Sequence, residues 1–381
     1  MIAFKPIAAD LAAFLQQRPG ETRLGAAVLT PTCVGLPQAT TNELTLKTLP
    51  ALLQLAIAQG VKVVILGIPE DIGPRANLGL GGSDGGFKAF LSRFVNLQAN
   101  HLLPATQILL LGEIDLDDLQ QQSQALDSKD TAQLAQLREL CQRVDERVSP
   151  ILQLIFAHGL FPIVIGGGHN NAYPLLKALS CAKQQAIHAI NLDPHCDFRV
   201  LEGRHSGNGF SYAKTEGYLH SYQVLALHEH KNADSALALM QQHQVGFISY
   251  QQIMYKHSAD TKPALPAIAQ GWHAAVEHVC HAADTEPERP LAVELDTDSI
   301  SYMPVSAFTN CGVSVAEAEY YVYQLCRRPN AAYLHLAEAA PARHPAGLAQ
   351  GMNEAGQILS ALVLAALHAR LAMDASNSAS R

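Results

Sequence analysis

Three apolar runs in this chain each end abruptly in a group of potential metal-binding side chains. The runs are Phe161–Ile165, Ala186–Leu192 and Leu291–Leu295. They lead directly into Gly-Gly-Gly-His at 166–169, Asp-Pro-His-Cys-Asp at 193–197 and Asp-Thr-Asp at 296–298. Short apolar runs bounded in this way predict buried strands. Because ligands bind at the carboxyl ends of strands in open parallel sheets, we expect the three motifs to meet at one edge of such a sheet.

The spacing within the motifs places their acidic and imidazole groups on common faces. Side chains two residues apart in extended chain project to the same side, which applies to 193, 195 and 197 and again to 296 and 298. The six predicted metal ligands are His169, Asp193, His195, Asp197, Asp296 and Asp298. Four aspartates this close raise one another's pKa, so they need cations to stay ionised together.

The ligand types indicate which ion would bind. A mixed aspartate and histidine set without cysteine favours a borderline-to-hard ion such as Mn²⁺ over structural Zn²⁺. Cys196 falls on the alternate face and is excluded as a ligand. Two ions about 3.5–4 Å apart that share carboxylates are a recurrent device for activating water. Taken singly, Asp-x-Asp is usually a turn and Gly-Gly-Gly-His a tight strand-to-helix turn, which can bind phosphate. Together, after three strands, the motifs favour metal.

The rest of the chain alternates between strands and helices. Further strands are predicted at Val61–Ile68, Ile108–Leu111, Val224–Leu227, Val245–Ile248 and Ala332–Leu336. Helices are predicted at 130–158 (interrupted near Pro150), 172–183, 233–243, 264–282, 314–327 and 353–371. This alternation predicts one α/β domain over 1–381, with three αβα layers and a largely parallel sheet. We expect 1–49 to be an N-terminal extension packed on it, 117–130 a polar surface excursion, and 374–381 a frayed tail.

Composition restricts the function classes. The net charge of −8 without a basic run argues against nucleic acid and anionic membranes as partners. Charged residues make up only 16% of the 381 residues, well below the usual quarter, which favours a homo-oligomer with buried subunit contacts. Seven cysteines without a Cys-x-x-Cys predict reduced thiols in a cytoplasm. Residues 1–20 lack the long apolar core of a signal peptide or anchor.

The three metal motifs resemble those of the ureohydrolase superfamily, which includes arginases, agmatinases and formimidoylglutamases. The likeness extends from near Gly67 to near Arg370 and implies an arginase-like fold with a binuclear manganese centre, two Mn²⁺ per chain. By position, one ion would be held by His169, Asp193, Asp197 and Asp296, and the other by Asp193, His195, Asp296 and Asp298. The two shared aspartates would bridge the ions. The family's usual alanine in the second motif is Pro194 here, which removes no ligand.

A segment that begins nine residues after Asp197 indicates which branch of the family this chain resembles. It reads Ser206-Gly-Asn-Gly-Phe210, which alone would be a Gly-rich turn. Arginases resemble Ser-Gly-Asn-Leu-His here and use the histidine in proton transfer, whereas formimidoylglutamases resemble Ser-Gly-Thr-Pro-Phe. The latter also tend to carry Gly-Gly-Gly-His and an arginine at the position of Arg199. The resemblance favours the formimidoylglutamase-like branch. A guanidine hydrolase of arginase or agmatinase type and a catalytically silent ligand-binding relative stay as alternatives.

The same resemblance implies a substrate site. The segment Pro69–Asn77, which leads into a Gly-rich stretch, resembles the loop beside the active site of formimidoylglutamases. Glu338 matches the family's late glutamate that binds the amidine or guanidinium end of the substrate. The predicted substrate contacts are Arg75, Asn77, Arg199, Ser206, Asn208 and Phe210, and the predicted catalytic residues are Asp298 and Glu338. The expected substrate is a small amidine or guanidine, first of all N-formimidoyl-L-glutamate, whose carboxylates an arginine would pair with. The segment 228–232 does not match the amino-acid-binding segment of arginases.

Overall fold

Nine strands form a single sheet within residues 4–7, 11–16, 18–35, 44–255 and 271–378, the part of the chain that this computed structural model describes. The strands are β1 Phe4–Pro6, β2 Val63–Gly67, β3 Ile108–Ile114, β4 Phe161–Ile165, β5 Ile187–Leu192, β6 Leu219–Leu227, β7 Gly246–Ser249, β8 Leu291–Asp296 and β9 Ala331–Ala337. Their order across the sheet is β1-β3-β2-β4-β9-β8-β5-β6-β7. Only β1 pairs antiparallel to its neighbour. The predicted largely parallel sheet is confirmed.

Helices cover both faces of the sheet. One face packs against Gly86–Phe94, Trp272–Asp284, Val315–Cys326 and Leu348–Ser378. The other packs against Leu49–Ala58, Thr131–Ala157, Ala172–Lys183, Gly209–Thr215 and Asp234–Gln242. Shorter helices are Leu11–Phe14, Leu24–Ala27, Ile72–Ala76, Asp117–Gln124 and Tyr250–Met254. Strand side chains alternate between the two cores, as in β4, where Ile163 and Ile165 face one and Val164 the other. This arrangement confirms the three αβα layers.

The predicted interruption of the long helix near Pro150 needs correction. The helix Thr131–Ala157 runs without interruption through Pro150. Proline removes one backbone hydrogen bond, but Val148, Ile151 and Leu152 are buried on either side and keep the helix packed. Part of the polar stretch 117–130 is helical, at Asp117–Gln124. Residues 374–378 belong to the last helix, Leu348–Ser378, and the frayed tail at 374–381 stays a prediction. Residues 264–270 and 379–381 lie outside the described part of the chain.

The order of the strands places the site. β4 and β5 are consecutive in the chain, but β9 and β8 lie between them in the sheet. The carboxyl ends of β4, β9, β8 and β5 are therefore neighbours on one edge, where successive strands diverge and a crevice opens. These are the strands that carry the three metal motifs and Glu338. Among the described helices, none is long and apolar enough to cross a membrane.

Candidate metal centre

The loop after β4 places His169 over the sheet edge. Gly166 and Gly167 have positive φ angles of 91° and 72°, a conformation that L-residues with side chains rarely adopt. A Cβ atom at Gly167 would lie 2.4 Å from the Asn171 amide nitrogen. His169 is fully buried and begins a short 3₁₀ turn that leads into the helix Ala172–Lys183. The Gly-rich motif therefore lets the chain turn sharply and present the imidazole inward.

One group of four side chains encloses a common point. His169 Nδ1 lies 3.2 Å from an Asp193 oxygen, 3.0 Å from an Asp197 oxygen and 3.4 Å from an Asp296 oxygen. One ligand atom from each of these four residues falls within 4.8 Å of the others. This is the set predicted for the first ion.

A second group adjoins the first. His195, Asp296 and Asp298 also bring one ligand atom each within 4.8 Å of one another. Asp193 Oδ1 lies 3.6 Å from His195 Nδ1, so the fourth residue of the predicted second set is beside them. Asp296 belongs to both groups and Asp193 lies next to both, which is the arrangement that bridging carboxylates require. Cys196 joins neither group, and burial raises the pKa of its thiol to about 12.

The donor atoms fit divalent cations. Both ring nitrogens of His169 and Oδ1 of Asp298 are buried without an aligned hydrogen-bond partner among the described residues. Carboxylate oxygens lie 3.0–3.4 Å from His169 Nδ1 without an aligned hydrogen bond to it. Buried polar groups normally have partners, and a cation would be the partner of His169 Nδ1 and of Asp298 Oδ1. Oxygen and imidazole donors without thiolate suit a Mn²⁺-like ion.

Like charges dominate the electrostatics of the site. Burial, followed by the neighbouring Asp193, raises the pKa of Asp296 to about 6. Burial and Asp296 raise the pKa of Asp298 well above its usual range. Burial would also raise the pKa of Asp193, but contacts with His169 and His195 outweigh it and lower that pKa to about 2. Divalent cations would favour the ionised form of every one of these carboxylates.

Two site residues hold strained backbone conformations. Asp197 and Glu338 have φ angles of 45° and 67°, in the left-handed region that costs a residue with a side chain on the order of 1–3 kcal/mol. Glu338 follows β9, and its N–H donates to Gly167 O at 3.0 Å. Its Oε1 accepts the N–H of His169 at 2.8 Å. Burial, Asp296 and Asp298 raise the pKa of Glu338 well above its usual range. Such strain clusters at functional sites, where surrounding contacts impose it.

A cavity of about 500 Å³ opens above the ligands. Its wall includes His195, Asp298 and Glu338 on the metal side. Of the six predicted substrate contacts, it brings in Asn77, Arg199 and Ser206. Arg199 Nη1 donates to Asn77 Oδ1 at 2.8 Å, and the Asn77 amide reaches Ser206 Oγ at 3.3 Å. These three side chains form one hydrogen-bonded wall.

The other three predicted contacts lie outside the cavity. Arg75 turns away and donates to Ser123 and to the Leu126 carbonyl. Asn208 is buried, and its side chain binds Arg204 and local backbone groups. Phe210 is fully buried behind the ligands, stacked 4.1 Å from the ring of Tyr222. These residues are close to the metal motifs in the sequence, but that closeness does not determine where their side chains point.

Sequence reasoning also missed residues that support the site. Glu70 is fully buried and accepts hydrogen bonds from Gly168 N and the Asn171 amide, both at 2.7 Å, so it holds the loop around His169. Lys231, from the unmatched 228–232 segment, lines the cavity. Its neighbour Asn232 accepts from Cys196 N at 2.8 Å and donates to Pro194 O at 3.0 Å. These bonds attach the 228–232 segment to the second metal motif, and a single sequence gave no indication of them.

Comparison with known families agrees with this geometry. The family model described as the arginase family matches residues 61–365. The chain belongs to the arginase family. The arginase-like fold that the resemblance implies is thereby confirmed.

Curated relatives in the arginase family include bacterial formimidoylglutamases. The protein from Macrococcus caseolyticus is 27% identical over 194 residues, which cover 51% of this chain and 55% of that protein. The one from Chromobacterium violaceum is 26% identical over 287 residues, which cover 73% of this chain and 80% of that protein. The chain therefore spans about half the length of the first relative and about four fifths of the second.

Solved structures share the arginase-family fold. The formimidoylglutamase from Bacillus subtilis matches with a TM-score of 0.67 at 14% identity, over 95% of this chain and 98% of that chain. The formiminoglutamase of Trypanosoma cruzi, in a structure with Mn²⁺, matches with a TM-score of 0.60 at 20% identity, over 82% and 98%. At these identities the likeness establishes the fold.

Proposed function

We propose that this protein is a hydrolase that uses two Mn²⁺ ions to cleave a C–N bond of a linear amidine, with N-formimidoyl-L-glutamate as the substrate and L-glutamate and formamide as the products. The observation that carries the proposal is the convergence of the six predicted ligand side chains, four of which line one cavity together with Glu338. The formimidoylglutamases among the curated relatives support the choice of substrate.

The ions would be held by the two ligand groups described above, and when bound they supply an activated water for attack on the amidine carbon. The remaining chemistry belongs to side chains of this chain. Glu338 lines the cavity with one oxygen engaged by His169 N–H, which leaves the other for the cationic amidine. Asp298 belongs to the second ligand group, and its Oδ1 is buried without a hydrogen-bond partner in the described part of the chain. It would take the proton of the attacking water and pass it to the leaving nitrogen.

Two cationic side chains would receive the far end of the substrate. Arg199 and Lys231 both line the cavity together with the acidic residues of the metal side, and Lys231 is near enough to Asp298 to act on its pKa. No hydrogen bond or ion pair engages the Lys231 ammonium among the described contacts, and its backbone is attached to the second metal motif through Asn232. A substrate that carries both a cationic amidine and carboxylates matches a cavity lined by both acidic and cationic side chains. Arginine, whose far end also carries an ammonium, matches it less well.

The test measures product release from Mn²⁺-loaded protein. Formimidoylglutamate, arginine and agmatine are offered separately, and formamide, glutamate and urea are quantified. We expect formamide and glutamate in equal amounts from the first substrate and little urea from the others. Urea release from arginine with no formimidoylglutamate consumed would refute the choice of substrate and favour the guanidine hydrolase. No product from any of them, with both ions bound, would favour a silent relative.

A matched pair of variants tests the anionic end of the site. Lys231→Met removes the charge in the cavity, whereas Lys129→Met removes one from an exposed position elsewhere. A hydrogen bond to a charged group is worth about 1.5–3 kcal/mol, so Lys231→Met should raise KM by roughly tenfold or more with kcat little changed. Equal KM values for the two variants would contradict the role of Lys231.

We also propose a cellular compartment and an oligomeric state for this protein. A reduced cytoplasm agrees with all seven cysteines being free. A homo-oligomer, inferred from the low content of charged residues, is testable by light scattering of the purified protein. A mass equal to one chain would contradict it.

A further inference from the structure

A row of buried polar residues crosses three adjacent strands beneath the metal ligands. Asn191 on β5 lies directly opposite Glu294 on β8, and Glu294 lies directly opposite His335 on β9. All three residues are fully buried. A carboxylate at such a position is costly unless donors surround it, so its partners indicate its role.

Two neighbours fix the orientation of the Glu294 carboxylate. Tyr333 OH donates to Oε1 at 2.5 Å, and His335 Nδ1 lies 2.7 Å from Oε2. Both partners come from β9, which pairs with β8 through this stretch. These two contacts hold the carboxylate in one direction.

That direction points Oε2 at the metal ligand His169. Oε2 lies 3.4 Å from His169 Nε2, on the far side of the ring from Nδ1. Nδ1 faces oxygens of Asp193, Asp197 and Asp296. Neutral imidazole carries one N–H, so a ring that binds a metal through Nδ1 must carry its proton on Nε2. Metal-binding histidines commonly donate that second N–H to a carboxylate, which sets the tautomer and the ring orientation.

We propose that Glu294 is a positioning residue for the metal centre: it accepts the Nε2–H of His169 and so directs the Nδ1 lone pair at the ion held with Asp193, Asp197 and Asp296. The inference concerns metal binding and does not depend on the identity of the substrate. It would also make the two ions unequal, because Glu294 lies against His169 of the first ligand group, and His169 does not belong to the group of His195, Asp296 and Asp298.

The test compares Glu294→Gln, Glu294→Ala and Tyr333→Phe with the parent protein. Mn²⁺ binding is measured by equilibrium dialysis with elemental analysis, and folding of the metal-free proteins by circular dichroism and melting. We expect Glu294→Ala to bind one ion about 10–100-fold more weakly while the other ion keeps its affinity. Glu294→Gln should lose less, since its amide oxygen still accepts the Nε2–H. Tyr333→Phe, which leaves Oε2 in place, should lose least.

An independent readout follows the ion pair itself. Electron paramagnetic resonance of the Mn²⁺-loaded parent should show a spin-coupled pair, and Glu294→Ala at limiting Mn²⁺ should show a single ion. Two ions bound with parental affinity by both Glu294 variants would overturn the proposal. Equal weakening of both ions in proportion to a lower melting temperature would also overturn it, because it would show a purely structural role. Three ions in the parent and two in Glu294→Gln would make Glu294, His335 and His169 a ligand set instead.

Discussion

Acidification should destabilise this protein through a buried histidine beside the cavity. His205 is fully buried, its Nδ1 accepts the N–H of Gly207 at 3.1 Å, and its Nε2 lies 3.2 Å from Glu202. Burial and then the nearby Arg138, Arg199 and Arg204 guanidinium groups lower the pKa of His205 to about 3. The imidazole therefore stays neutral in the folded protein at any pH near neutrality.

The sign and size of the effect follow from the two states of the chain. In the unfolded chain the pKa returns to about 6.5, so below that pH the unfolded state takes up a proton that the folded state does not. The contribution of His205 to the free energy of unfolding is complete above pH 6.5 and is lost as the pH falls toward 3. At about pH 5, 1.5 units below the unfolded pKa at about 1.4 kcal/mol per unit, the loss is about 2 kcal/mol.

Urea denaturation of the metal-free protein at about pH 7 and pH 5 measures this loss. His205→Gln is the matched control, because its amide oxygen can accept from Gly207 N–H but does not titrate. The metal-site carboxylates titrate in both proteins, so their contribution cancels in the comparison. We expect the parent protein to lose about 2 kcal/mol more than the variant between the two pH values. The same loss in both would refute the assignment of a neutral, depressed His205.

Three further predictions test the site. Asp296→Ala should leave at most one Mn²⁺ per chain and abolish hydrolysis, since this carboxylate belongs to both ligand groups; full activity with both ions on elemental analysis would contradict the bridging role. Glu70→Ala should lower the free energy of unfolding by roughly 2–4 kcal/mol, because Gly168 N–H and the Asn171 amide lose their buried acceptor, whereas Glu70→Gln should lose less. Urea denaturation gives both values, and an equal loss would show that the charge alone matters. Phe210→Ala should lower the free energy of unfolding by about 3–5 kcal/mol, because it leaves a void in the buried core. Phe210→His should release no urea from arginine, because this side chain does not line the substrate cavity. Arginase activity in Phe210→His would show instead that the side chain reaches the substrate.

The convergence of the six predicted ligand side chains could be predicted because strand geometry and chemistry constrain each other at those positions. The side chain of a residue that ends a buried strand in a parallel sheet can point in few directions. A carboxylate buried there is costly unless it is paired or binds a metal. The strand order, by contrast, depends on contacts between distant segments. No local pattern indicates that β9 and β8 enter between β4 and β5.

The predicted substrate contacts rested only on their position relative to the family's motifs, and only some of them line the cavity. Arg75 and Asn77 are two residues apart on the same loop, yet only Asn77 lines the cavity, because Arg75 binds the end of the helix Asp117–Gln124. Glu294 carried an indication that local reasoning could have used, since a charged residue inside an apolar strand needs a buried partner. The role of Lys231 depends on the attachment of Asn232 to the second metal motif, which only the folded chain shows.

The position of β8 and β9 in the sheet has a consequence for synthesis of the chain. Until residues 291–337 have been made, the strands β1 to β4 and the strands β5 to β7 have no strand that joins them, and β4 and β5 lack their partners β9 and β8. Unpaired edges of this kind invite association with other chains. The metal centre cannot form in that interval either, because Asp296 and Asp298 have yet to join His169 and Asp193. A nascent or truncated chain is thus both metal-free and prone to aggregation, and manganese can stabilise only a chain whose last two strands are in place.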